Sequence, residues 1–376
     1  MSEQTAVEVL VIGSGVIGSS IAYHLARQGR NVLVIERGRE EAIEPVASWA
    51  SAGGVRRQGR HPAEAPLASE AIARWPTLGD ELEADLRYRR GGQLLLAETE
   101  DEVRQLEEFV SQQRAMGFRD VRLVERQEVL ELAPGLNQRV LAGSYSPIDG
   151  QADPALTTRA FAAAARHHGA HYWHTTEVTA LRMEQKRVTG ALTARGSVRA
   201  DHVVLAAGGW SDTLAATIGL ALPIEMHALQ MLLSTPAPSV TLGPVLSALD
   251  RKLSLKQLDD GAFLIGGGWP GDILPDRSGY TMRPQSIEGS WKTASELLPA
   301  VGQQQILRHW CGLEAISVDG IPFIGPVEGY DGLVLALGFS GHGFAISPAV
   351  GRCVADLVAG QMVPELAGLS FARLQQ

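Results

Sequence analysis

One arrangement of apolar positions occurs three times along this chain: a short, almost unbroken hydrophobic run, a glycine-rich break, and a helix start after it. The first run is Val7–Ile12, rich in β-branched residues, the pattern of a strand buried on both faces. It breaks at Gly13-Ser14-Gly15-Val16-Ile17-Gly18, and Ile21, Ala22, Leu25 and Ala26 then carry a helix to a stop at Gly29. A further apolar run, Val32–Ile35, ends in the acidic Glu36. The second occurrence is Val203–Ala207 followed by Gly208-Gly209-Trp210-Ser211. The third is Leu333–Leu337 followed by Gly338-Phe339-Ser340-Gly341-His342-Gly343-Phe344. Here the pattern predicts a helix with Ser347 as its cap and Pro348 in its first turn, running through Val350, Val354 and Leu357 to Gly360.

Between these units the patterning changes. Ala65–Trp75 reads as a helix that Pro76 interrupts. Asp101–Met116 is an amphipathic helix, with Val103, Leu106, Phe109, Val110 and Met116 on one side, and Glu125–Leu132 is a shorter one. Asp153 is a helix cap, with Pro154 at the first position of an alanine-rich helix reaching Gly169. Glu177–Ala207 alternates as strands do. From Pro223 to His309 the chain reads as short strands, at Met226–Leu233, Val245–Leu249, Lys252–Leu258 and Phe263–Ile265, in an antiparallel sheet. The expected fold class is therefore α/β in two lobes. A chain of 376 residues exceeds what one core usually serves, which agrees.

Composition narrows the function classes. Apolar content of 45% and charged content of 20% are those of a globular protein. A net charge of −9 argues against nucleic acid, which needs a clustered basic surface. Arg56-Arg57, Arg60 and Arg87-Arg89-Arg90 are local groups that read as solvated faces or small-anion contacts. The two cysteines, Cys311 and Cys353, have no metal-ligand spacing and no expected disulfide, so no metal site is anticipated. No run reaches the ~18 apolar residues that span a bilayer, and Met1 to Glu3 leads straight into the first strand without a signal peptide. The expected location is the cytoplasm.

The first unit has the parts of a dinucleotide site. Gly13 permits the tight turn, Gly15 lets backbone approach a pyrophosphate, and Gly18 lets helix and strand pack closely. The pyrophosphate sits at the helix N-terminus, and Glu36 stands where a carboxylate accepts from the adenosine ribose. The motif alone does not separate FAD from NAD. Three glycine junctions distant in sequence suit a long, deeply buried dinucleotide better than a releasable one. Small residues in Ser48-Trp49-Ala50-Ser51-Ala52-Gly53-Gly54 suit backbone laid against a flat ligand, and the paired arginines after them suit a carboxylate.

Taken together, Val9–Gly18 with Glu36, Ser48–Gly54, Asp153-Pro154, Val203–Ser211, Trp310–Gly325 and Gly338–Phe344 resemble the FAD-dependent amino-acid and amine oxidoreductases, the family of glycine oxidase, sarcosine oxidase and D-amino-acid dehydrogenases. The form Ala52-Gly53-Gly54-Val55-Arg56 with Gln58 resembles the flavin (beta) subunits of heteromeric sarcosine, opine and proline or hydroxyproline dehydrogenases. The resemblance implies a discontinuous Rossmann-like FAD domain over residues 1–88, 148–222 and 310–376, and an antiparallel-sheet substrate domain over 89–147 and 223–309. It implies FAD contacts from Gly13, Gly15, Val16, Ile17, Gly18, Glu36, Arg37, Ser48, Ala50, Ser51, Ala52, Gly53, Val178, Ala207, Gly208, Trp210, Gly338, Ser340, Gly341, His342, Gly343 and Phe344. Arg56 becomes the carboxylate clamp, and His342 lies beside the flavin or the substrate amine.

Departures from the pattern refine this. Glu314 stands where single-chain relatives place a carboxylate-binding arginine, so it is expected to meet a cationic amine or pair with a neighbouring arginine. Cys311 is one residue from the position of flavin attachment in sarcosine oxidases, hence on the opposite strand face, and Ala50 replaces a flavin-linked histidine of other relatives. FAD is therefore expected to be non-covalent. Phe263 occupies the approximate position of an oxygen-activating lysine, which favours a dehydrogenase. The expected function is FAD-dependent dehydrogenation of a small secondary or D-amino acid, as a subunit of a heteromer. The alternatives are a stand-alone oxidase producing hydrogen peroxide and a non-catalytic FAD subunit used in assembly or electron relay.

Overall fold

The computed structural model describes residues 5–374; the reading of Met1 to Glu3 lies outside them. The apolar runs become the centre of an eight-stranded sheet, ordered Phe323–Pro326, Leu333–Leu337, Gly196–Leu205, Thr5–Ile12, Val32–Ile35, His171–Trp173, with the hairpin Val178–Glu184/Arg187–Thr193 attached to Gly196–Leu205. The strands at its centre run parallel, with Ile12 opposite both Leu205 and Ile35, and Leu205 opposite Leu335. Three neighbouring parallel strands thus end side by side. Their glycine-rich junctions emerge along one carboxyl edge, the place where open α/β sheets bind ligands. Helices Val16–Arg27, Pro154–His167 and Gly343–Val358 cover one face through Ile21, Leu25, Phe161, Val350 and Val354, all buried.

The second sheet also has eight strands, ordered Ile306–Ser317, Ile224–Pro236, Ala262–Gly266, Ser254–Gln257, Val245–Ala248, Gln93–Ala97, Ala142–Ser146, Arg122–Glu125. It is antiparallel except where Val245–Ala248 runs parallel to Gln93–Ala97, the seam joining two sequence segments 150 residues apart. Residue 310 falls within Ile306–Ser317, which pairs along its length with Ile224–Pro236 and carries the second sheet to the wall of the cleft.

Two helices differ from expectation. Ala65–Glu81 continues through Pro76, because Trp75 and Leu78 on its inner face are fully buried and Trp75 Nε1 donates to Ala345 O at 2.8 Å. That packing outweighs the ~3 kcal/mol a mid-helix proline costs. The last helix starts at Gly343, so Ser347 is an interior residue rather than the cap. Pro348 has no N–H for the carbonyl of Phe344, and the Ser347 hydroxyl donates to that carbonyl at 2.9 Å instead. Asp153 does cap its helix, accepting from Leu156 N at 2.9 Å.

Candidate functional site

The three junctions and the second sheet enclose one cavity of about 790 Å³. The first junction supplies its tightest contacts. Gly13 has φ +100°, and a Cβ there would lie 2.5 Å from Ala206 O; a Cβ on Gly18 would lie 2.0 Å from Gly13 O. Both are glycine because neighbouring backbone occupies the space a side chain needs. Glu36, at the end of the second strand, accepts from Ser14 N at 2.9 Å and from Gly38 N at 2.7 Å, which holds its carboxylate at the cavity edge with lone pairs to spare. Ser48 Oγ accepts from Val16 N at 2.9 Å and ties the small-residue loop to the helix start. Arg37 stacks over Trp210, 3.7 Å from the ring centroid. A carboxylate, a helix N-terminus and close-approach glycines in one trough fit an adenine dinucleotide.

Of the residues expected to touch FAD, all but two line this cavity. Gly18 lies beneath the turn as a packing residue. Gly53 is not on the wall either: its φ of +71° serves a close approach to Ala152, whose carbonyl oxygen would be 2.1 Å from an added Cβ. Gly54 lines the cavity in its place.

The other end of the cavity brings charged and uncharged residues together. Arg56, Arg60, His342 and Glu314 line it, together with Gln93, Leu229, Gln230, Met231, Val245, Ser247, Leu253 and Ser254 from the second sheet. Arg57, next to Arg56, points away, pairing with Asp120 and lying over Phe118. Arg56 makes no side-chain hydrogen bond and no ion pair within 4.0 Å among the described residues. Arg60 donates from Nε to Arg56 O at 3.1 Å, and its buried Nη1 has no partner. Burial lowers the Arg56 pKa; burial and then the charge of Arg56 bring Arg60 down to about 9. A half-buried guanidinium, Arg56, and a buried one, Arg60, lie side by side with no ion pair within 4.0 Å among the described residues, and the carboxylates of Asp149 and Glu64 act on them only at longer range, so the pair suits an anion.

Glu314 meets no arginine. Its Oε1 accepts from Gly341 N at 2.5 Å, and burial, outweighing that bond and His227, raises its pKa to about 7. His342 Nδ1 lies 3.2 Å from Oε2 of Glu64, a fully buried carboxyl. Burial, then Arg60, lowers the His342 pKa; burial would raise Glu64, but the hydrogen bond and the charge of His342, then Arg60, hold it below the usual carboxylate range. Gln230 is buried, with Oε1 unpartnered.

Two expectations about the second sheet change. Phe263 is fully buried inside that lobe's core with Leu232 and Ile265, not on the cavity wall, so its lack of charge says nothing about the electron acceptor. A lysine is nevertheless buried nearby: Lys256, cross-strand from Leu264, with Nζ 3.4 Å from Ala152 O and its pKa brought to about 8 by burial. Cys311 Sγ lies 3.4 Å from Met282 Sδ, while Gly312 lines the cavity. Arg60, Glu64, Gln93 and Gln230 carry no motif; Arg60 alone was visible in sequence, as a nearby basic residue.

The chain matches the FAD dependent oxidoreductase (DAO) family over residues 8–357. It is 33% identical over 369 residues to a glycine oxidase of Pseudomonas aeruginosa, covering 94% of this chain and 95% of that protein. It is 27% identical to a sarcosine oxidase subunit beta of Rhodobacter capsulatus, covering 98% and 89%. Among solved structures it superposes on an L-proline dehydrogenase from P. horikoshii with a TM-score of 0.91 and 28% identity, covering 99% of both chains.

Proposed function

The chain belongs to the FAD-dependent oxidoreductase (DAO) family and is an FAD-dependent amino-acid oxidoreductase; from that premise we propose that it dehydrogenates a small secondary or D-amino acid of the proline, hydroxyproline or sarcosine type. The observation that carries the substrate class is the pair Arg56 and Arg60, a half-buried and a buried guanidinium lining the cavity with no ion pair within 4.0 Å among the described residues. FAD, when bound, accepts the hydride from the carbon next to the amine. Arg56 clamps the substrate carboxylate, and the Glu314 carboxyl faces the ammonium group. The neutral wall of Leu229, Met231, Val245 and Leu253 receives a small apolar side chain or ring. Non-covalent FAD belongs to this reading, since Cys311 turns to Met282 and Ala50 offers no nucleophile; yellow colour retained in an acid-precipitated pellet would contradict it.

Working as one subunit of a heteromer is the finer part of the proposal. The sarcosine oxidase subunit beta relative and the Ala52–Gln58 loop support it. A cytoplasmic location goes with it; both cysteines are unpaired, and no helix among the described residues is long and apolar enough to cross a membrane. The stand-alone oxidase is favoured by the higher identity to glycine oxidase. An anaerobic spectral titration with glycine, sarcosine, L-proline and D-proline tests the reaction. Bleaching of the flavin by one of them is expected, and no bleaching by any amine leaves only a non-catalytic subunit. Oxygen uptake by the isolated chain then separates oxidase from dehydrogenase.

A further inference from the structure

We propose that Glu64 is a positioning residue that fixes the tautomer of His342, so that His342 presents a bare Nε2 to the cavity and accepts the proton of the substrate ammonium group. The proposal rests on the amine oxidation described above, but its structural half rests on the contact between His342 and Glu64 and the charges around it. His342 precedes the helix Gly343–Val358 and its ring lines the cavity; Glu64 precedes the helix Ala65–Glu81 and is fully buried. Two helix starts, 278 residues apart in sequence, therefore bring a carboxylate to 3.2 Å from Nδ1.

Which atom carries the hydrogen follows from the surroundings. The charged groups acting on His342 are Arg60, Glu64 and Arg56. Two guanidiniums favour an ionised Glu64, and with burial they disfavour an imidazolium. An ionised carboxylate only accepts, so a neutral ring must donate from Nδ1–H, which leaves the lone pair on Nε2. The other tautomer would set two acceptors against each other, 3.2 Å apart, at a fully buried carboxylate.

That lone pair has a use. An ammonium group has no lone pair to push out a hydride from the neighbouring carbon, so one N–H bond must first break heterolytically. The proton passes to Nε2, the bonding electrons stay on the amine nitrogen, and nothing is oxidised in this step. The imidazolium so formed has Glu64 as its counter-ion, as the buried aspartate serves the histidine of a serine protease. Glu314, whose Oε1 accepts from Gly341 N–H, is the competing base.

The test uses the FAD-loaded protein. Nitrogen-15 NMR of histidine-labelled wild type, assigned with His342→Asn, should show hydrogen on Nδ1 and none on Nε2 at neutral pH; hydrogen on Nε2 overturns the proposal. Glu64→Gln can donate an amide hydrogen to Nδ1 and so stabilises the wrong tautomer. Its rate of anaerobic flavin reduction should fall about 10²–10³-fold, with FAD content and acetate binding unchanged, and Glu64→Asp should restore part of the rate. An unchanged rate and an unchanged acid limb of kcat/KM in Glu64→Gln would equally defeat it. Should that variant lose FAD, the wild-type tautomer decides. If no amine reduces the wild-type flavin, the proposed reaction fails while the NMR still reports on Glu64.

Discussion

Replacing Arg56 by leucine separates a ligand-binding cation from a structural one. In the folded chain this guanidinium is half-buried beside Arg60, has no ion pair within 4.0 Å among the described residues, and its desolvation is offset only in part by Asp149 and Glu64. Hydrogen bonds to charged groups contribute about 1.5–3 kcal/mol each. A carboxylate held by two such bonds would lose about 3–6 kcal/mol, but Arg60 lies close enough to replace one of them. The net loss is then about 1.5–3 kcal/mol, or roughly 10–150-fold in substrate affinity. Arg56→Lys should fall between, since an ammonium cannot make the bidentate pair. The assay is an anaerobic titration of the flavin spectrum with substrate and with acetate, alongside thermal unfolding of the ligand-free protein. Affinity should fall for both ligands while Tm stays near wild type, because relief of the Arg60 repulsion and loss of the attraction to Asp149 and Glu64 act in opposite directions. Affinity within twofold of wild type, together with a fall in Tm, would show that Arg56 serves the fold and would remove the carboxylate clamp from this wall.

Other expectations follow from single groups. Because burial holds Glu314 at about 7, above the ordinary carboxylate value, the folded chain retains a proton that the unfolded chain loses between about pH 4.5 and 7. Stability of the FAD-free protein should therefore fall as pH rises through that window, and Glu314→Gln should flatten the Tm–pH curve there. Lys256, brought down to about 8, has the reverse sign: its burial weakens the fold below that pH and ceases to do so as pH rises toward the ordinary lysine value. Lys256→Met should raise stability at pH 7 by about 2–3 kcal/mol in a denaturant titration, and the gain should vanish near pH 10–11. Gly312→Ala places a Cβ 2.5 Å from the Ala50 Cβ and should cost about 1–3 kcal/mol, read as a lower Tm with weaker FAD retention.

Local chemistry made much of this molecule legible before any fold was known. The buried runs at Val7–Ile12, Val203–Ala207 and Leu333–Leu337 could only be strands covered on both faces, and each met glycines where a helix had to start close to it. Asp153 with Pro154 announced a helix start because both act within one turn. Where a local rule competed with tertiary packing, the rule lost. Pro76 stayed inside its helix because Trp75 needed to be buried, and Ser347 repaired the backbone beside Pro348 instead of capping.

The amino-acid order by itself determined the strand–glycine–helix units, since each depends on residues within about thirty positions of one another. Only the tertiary structure decided that Arg56 and not Arg57 faces the cavity, that Phe263 lies in a core while Lys256 is buried beside Ala152, and that Glu64 reaches His342. Those contacts join segments up to 278 residues apart. Strand register and helix packing bring such segments together, and no side-chain spacing along the chain encodes which face they will share.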